Sequence, residues 1–171
     1  MANHIIDDLS RPDASTPLGT TWELVSDRVM GGVSDGRLTH EWIDGRAALH
    51  LTGTVSLDNN GGFLQMALDL RSDGAGMDAS AFAGLELDVT GNGQTYNLHL
   101  RTADVLRPWQ SYRHAFTAPR GWGTLRLPFA EFSPHRLDAP LDLTTLRRIG
   151  IVAIGRAFAA DIALGGLRFY T

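Results

Sequence analysis

Gly32-Val33-Ser34-Asp35-Gly36 has the G-x-S-x-G spacing of a serine-hydrolase nucleophile elbow, in which a strained strand-to-helix turn lifts the serine hydroxyl toward substrate. That chemistry needs a helix directly after the serine, then an acid and a histidine further on. The residues after Ser34 are DGRLTHEWIDG, which alternate like a strand and close on another turn. The expected roles are therefore conformational. Gly31-Gly32 bends the chain, Asp35-Gly36 turns it again, and Ser34 bonds a local backbone group. The glycines do not form a phosphate cradle either, because neither the GxGxxG nor the Walker spacing is present.

Other reactive chemistry is thin. Cysteine and lysine are both absent, which removes disulfides, thiol nucleophiles, cysteine zinc sites, Schiff-base lysines and the P-loop lysine. Six histidines stand singly, with no H-x-H or H-E-x-x-H pair. No cofactor is expected; structural calcium is compatible with a sandwich of this kind, but no D-x-D-x-D-G loop points to it. The one constellation that alternation assembles comes from strand faces. With Leu85, Leu87, Leu98 and Leu100 turned to the core, Glu86, Asp88, Asn97, His99 and Arg101 share the opposite face, near Trp109 and Tyr112. Such a face can bind a polar ligand or a protein strand, and it can equally be a solvated face with cross-strand charge pairs. Of the four tryptophans, Trp109 in RPWQSY is the one placed to stack on a sugar, although burial is the ordinary fate of each.

The elements that must position these residues are strands. In RAALHLTGTVS, Ala47, Leu49, Leu51, Gly53 and Val55 fall on one side and His50, Thr52 and Thr54 on the other. LELDV and TLRLPF repeat the pattern, and RIGIVAIG is apolar on both faces, as a strand in mid-sheet with something packed on each side would be. Turn signals punctuate the chain at Asp44-Gly45, Asn59-Asn60-Gly61-Gly62, Asp73-Gly74, Gly91-Asn92-Gly93 and Pro119-Arg120-Gly121. Short strands at this spacing predict an all-β fold, a single β-sandwich domain over 1–171. Helix is expected only as one or two short turns, in PFAEF and after Asp142 in DLTTLRR. A net charge of −4 with arginines interspersed offers no nucleic-acid footprint. No apolar run approaches a membrane span, and the N-terminal stretch lacks the basic and apolar regions of a signal peptide, so a cytoplasmic protein is expected.

WELVSDRVMGGVSDGRL, LTGTVSLDNNGGF, WQSYRHAFTAPRGWGTLRLPFAEFSP, LRRIGIVAIG and GLRFY resemble, in order and spacing, the complex I intermediate-associated protein 30 family. The resemblance runs from about Trp22 to Tyr170. It is most specific in the block Asp27 to Ser34 and the block Asn59 to Phe63. It implies a galactose-binding-domain-like jelly roll that acts as a non-enzymatic protein-binding or assembly module. The partner it implies is a respiratory-complex subunit or assembly intermediate. A carbohydrate or small polar ligand is the alternative. The residues expected to line a binding site are Asp27, Arg28, Met30, Gly31, Gly32 and Ser34 from the first block, and Asn59, Asn60, Gly61 and Gly62 from the second. His99, Arg101, Trp109 and Tyr112 complete the set.

Overall fold

The computed structural model describes residues 4–171. Its strands are β1 His4–Asp7, β2 Glu23–Ser26, β3 Asp35–Ile43, β4 Arg46–Val55, β5 Phe63–Asp69, β6 Gly84–Gly91, β7 Thr95–Thr102, β8 Ser111–Thr117, β9 Gly123–Pro128, β10 Ser133–His135, β11 Leu146–Ile154 and β12 Phe158–Tyr170. Two antiparallel six-stranded sheets form the sandwich. The first runs β3-β4-β12-β6-β9, with β1 added to β12 where β4 has ended; the second runs β10-β8-β7-β11-β5-β2. Alternate residues of each strand face inward. Leu49, Leu51, Leu85, Leu87, Ile162 and Leu164 from one sheet meet Leu64, Met66, Leu98, Leu100, Ile149 and Ile151 from the other in one buried cluster. Burying side chains of this size stabilises by roughly 1.5–3 kcal/mol each before the entropy of ordering is subtracted.

Turn chemistry behaves as expected at Asp44-Gly45, where both residues take positive φ and close the β3–β4 hairpin. Asn59 and Asn60 also sit in the left-handed region. Asp35-Gly36 does not turn the chain: it opens β3, where Gly36 lies against Gly53 and Leu64. PFAEF and the segment after Asp142 each give a single 3-10 turn, the second capped by the Asp142 carboxylate on the Thr144 amide. Two further turns occur: Asp27–Met30 falls inside the first glycine-rich block, and Asp58–Asn60 leads into the second.

The expected grouping of Glu86 and Asp88 with Asn97, His99 and Arg101 is overturned. β6 and β7 are consecutive in the chain but belong to opposite sheets, so their outer residues lie on opposite sides of the molecule. Alternation gives the face of a strand but not the sheet to which it belongs. RIGIVAIG follows expectation, since Gly150 and Val152 on its outer side are buried as well. As β11 it lies inside the second sheet and packs one side on the core, and its other side, Gly150, Val152 and Ile154, lies in the floor of a groove.

Candidate functional site

The two glycine-rich blocks meet on one carboxylate. Ser26 caps the turn that begins at Asp27, accepting from the Arg28 amide, and Gly31 ends it in the left-handed region at φ +88°. Asp27 is fully buried beneath this turn. Its Oδ1 accepts from the Ser34 amide at 3.0 Å, and its Oδ2 accepts from Ser34 Oγ at 2.5 Å, Gly62 N at 2.6 Å and Phe63 N at 3.3 Å. Burial pushes the carboxyl up, but these donors outweigh it and hold Asp27 below the ordinary aspartate range. The glycines follow from this knot, since a Cβ at Gly32 or Gly61 would lie 2.5 Å from an Asp27 carboxyl atom. Ser34 is no nucleophile. It is fully buried, donates to Asp27 and accepts from the Ser56 amide at 2.8 Å.

Above the knot, the same segments wall a groove of about 690 Å³ on the outer face of the second sheet. One wall is Val29, Met30, Leu57 and the Gly61-Gly62 backbone; the other is Leu106, Pro108, Trp109 and Gln110. The floor comes from alternate residues of five adjacent strands: Ser111 and Arg113, His99 and Arg101, Arg148 to Ile154, Phe63 and Gln65, and Val25. Gly150 makes room for the Gln65 side chain, whose Oε1 occupies the space a Cβ would need.

Of the residues expected at a site, Met30, Gly61, Gly62, His99, Arg101 and Trp109 line the groove. Asp27, Gly32 and Ser34 lie beneath its wall. Gly31 shapes the turn, and Arg28 braces it through Nε to the Ser34 carbonyl at 2.8 Å. Asn59 and Asn60 form an exposed turn outside the lining. Tyr112 is not exposed: it faces the core, and its hydroxyl donates to the Ala139 carbonyl at 2.7 Å. Trp22 is buried, with its indole N–H on Asp7, whereas Trp42 and Trp109 are exposed against expectation. Sequence reasoning passed over Val29, Leu57, Leu106 and Arg113. For Arg113 a signal existed, since alternation in SYRHAF puts it opposite Tyr112 in facing; for the loop leucines there was none.

His99 is the titratable centre of the floor. Its Nε2 is buried without a hydrogen-bond partner. Burial first, then Arg113, His135 and Arg101, push its pKa down to about 3, so it is neutral at pH 7. An unfolded histidine titrates near 6.5, so between these values the unfolded chain binds more protons and stability falls as the pH is lowered. The slope due to His99 approaches about 1.4 kcal/mol per pH unit. His99→Gln is expected to gain about 2 kcal/mol on the wild type when the pH goes from 6.5 to 5, read by urea unfolding at each pH. Parallel pH profiles would show that the imidazole is not held neutral. Ser111 and His99 make no nucleophile–base pair here, because Ser111 Oγ accepts from Arg113 Nε at 2.9 Å and the His99 Nε2 bonds nothing.

The outer face of the first sheet is different in kind. Glu86 and Asp88, both buried, are covered by Arg168, Arg126 and Arg46 in cross-strand pairs, with Thr124 donating to Asp88 at 2.7 Å. It is a self-neutralised face.

Solved structures share this architecture. The family 11 carbohydrate-binding module of a cellulosomal cellulase of Clostridium thermocellum superposes with a TM-score of 0.76 at 14% identity, over 99% of this chain and 95% of that one. The family 11 module from the same organism in complex with a β-1,3-1,4-mixed-linked tetrasaccharide gives 0.73 at 14% identity, over 98% and 95%. A family 30 carbohydrate-binding module of a cellulosomal cellulase of that organism gives 0.64 at 16%, over 100% and 98%. At such identities the likeness is one of fold, the carbohydrate-binding-module jelly roll. No curated protein sequence matches the chain. Among the described residues, no helix is long and apolar enough to cross a membrane. Residues 12–164, which include both glycine-rich blocks and every strand that floors the groove, match the model for complex I intermediate-associated protein 30, and the chain belongs to that family.

Proposed function

We propose that the protein is a non-enzymatic binding module that holds an extended segment of a protein partner in the groove of its second sheet. One observation carries the reading. Five of the molecule's most exposed large apolar side chains converge there: Val29 is 77% exposed, Met30 60%, Leu57 51%, Leu106 79% and Trp109 57%. Scattered apolar residues on a surface need no explanation, but a rim of them around one groove marks an interaction site. The partner is a segment rich in apolar side chains, and family membership supports a respiratory-complex assembly intermediate as its source.

The rim side chains are exposed, so replacing them leaves the fold intact. Met30→Asp combined with Leu106→Asp is expected to weaken binding of apolar peptides selected on the wild-type chain from a random display library by tenfold or more, with an unchanged melting temperature. Equal binding by variant and wild type would remove the groove from the reading. Complex I activity at the wild-type level after deletion of the gene would sink the respiratory assignment alone.

A second reading is favoured by Trp109, exposed at the rim as a sugar-stacking aromatic would be, and by the fold shared with carbohydrate-binding modules. It predicts thermal stabilisation by β-glucan oligosaccharides that Trp109→Ala abolishes. The groove itself favours peptide: only one aromatic ring is exposed along it, and no carboxylate is available to accept from sugar hydroxyls.

A further inference from the structure

The groove floor carries charge that the rest of the molecule leaves unneutralised. On the opposite sheet Glu86 and Asp88 both face arginines, and in the groove itself Arg148 is held by Glu23 at 2.5 Å and Asp69 at 2.7 Å. Arg101 and Arg113 take part in no ion pair among the described residues. Both are half-buried. Arg101 Nη1 donates to the Gln110 carbonyl at 3.1 Å, and more distantly to those of Arg107 and Pro108. Arg113 donates through Nε to Ser111 Oγ.

Strand register gathers these groups. Arg113 is directly opposite His99 across the β7–β8 pair, Arg101 is two residues along β7 on the same face, and Arg101 is opposite the cationic Arg148 across β7–β11. His99, which lines the groove with both arginines, keeps a buried Nε2 without a hydrogen-bond partner, and no aspartate or glutamate lines the groove. In a chain whose net charge is −4, this is a local concentration of positive charge with donors left over. Burial and then neighbouring arginines hold both guanidiniums below their ordinary range, the direction that an incoming anion would reverse.

We propose that Arg101, Arg113 and His99 form a carboxylate-binding subsite, and that the bound segment carries an acidic side chain seated on it, with apolar side chains against Met30, Leu106 and Trp109. The inference rests on the peptide-groove reading. It adds the charge that fixes the register of the segment, since a planar carboxylate can take paired N–H donors from a guanidinium fork where an apolar side chain can only slide.

The probes are 4-phenylbutyrate and its amide, which share an apolar ring and differ in charge, with D-glucuronate and inorganic phosphate as competing anions. Each is titrated into the full chain at low ionic strength while the arginine Nε–Hε resonances are followed. The acid is expected to move the Arg101 and Arg113 signals and to bind about tenfold or more tightly than the amide, with the advantage shrinking in salt and vanishing in Arg113→Met. The wild-type resonances report the site even if a variant folds poorly. Equal binding of acid and amide overturns the subsite and leaves the apolar groove standing. An acid that binds while phenylbutanamide does not, even at the solubility limit, supports the subsite and removes the apolar groove reading. Glucuronate or phosphate binding more tightly than phenylbutyrate overturns the acidic-peptide assignment, and no binding by any anion overturns the whole inference.

Discussion

Asp27→Ala is expected to destabilise the fold by about 4 kcal/mol, a large fraction of a domain's stability. Each orphaned buried donor costs roughly 1–3 kcal/mol, and the substitution strands the amides of Ser34, Gly62 and Phe63 together with the Ser34 hydroxyl. The hydroxyl can turn to the Ser56 carbonyl, at 3.3 Å, but the amides have no such second acceptor. Asp27→Asn is expected to lie between wild type and alanine, because it keeps one acceptor and turns an NH2 on the remaining donors. Gly32→Ala and Gly61→Ala are expected to reproduce part of the loss by pressing a methyl group on the carboxyl. Urea unfolding at pH 7 measures all four, and a loss below about 1 kcal/mol for the alanine would contradict the account. Because the folded carboxyl titrates below its unfolded value of 3.8, its contribution is complete above that pH and disappears as the pH falls through the folded value. The alanine variant should therefore also lose peptide binding, since the turn bearing Val29 and Met30 is fixed by this carboxylate.

The second large effect belongs to the other face. Arg168 bridges Asp88, at 2.9 and 3.1 Å, and Glu86, at 2.5 Å, under partial cover from water. Arg168→Met keeps most of the packing volume and removes the shared partner of two buried carboxylates. Arg126 and Arg46 still reach one each, so the expected loss is about 3 kcal/mol rather than that of a fully uncompensated charge. The sign of its pH dependence is set by Asp88. Burial raises that carboxyl, but Arg168, Thr124 and Arg46 bring it down to about 2. Stabilisation from this shift is present above pH 3.8 and is lost as the pH falls from 3.8 through 2, so the gap between variant and wild type should narrow over that window. A gap that stays constant from about pH 6 to about pH 2.5 would show that the arginine acts through packing alone. Peptide binding in the groove should be unaffected, which separates this variant from Asp27→Ala.

The strand faces were legible in the sequence because period-two alternation is a local property: Leu49, Leu51, Leu85 and Leu87 point inward as LHL and LEL require. What alternation does not contain is which strands pair. Glu86 and His99 looked like neighbours because eight-residue strands separated by GNG read as a hairpin, whereas the chain crosses there from one sheet to the other. The groove's walls were half visible. Met30 and Trp109 stand out beside glycine and proline, but Leu57 and Leu106 sit in loops with no periodicity, and only the tertiary fold brings them to one rim. The role of Asp27 was hidden for the same reason, since its partners Gly62 and Phe63 are 35 and 36 residues away.

All but one of the hydrogen bonds that Asp27 accepts come from main-chain amides, and the exception is a serine buried with it. The side chains of Val29, Met30 and Leu57 contribute nothing to that knot, so selection can rewrite them without endangering the fold. The wall is an exchangeable cassette: a lineage, or a protein engineer, can alter what the module recognises by changing these exposed positions while the aspartate and its glycines stay fixed.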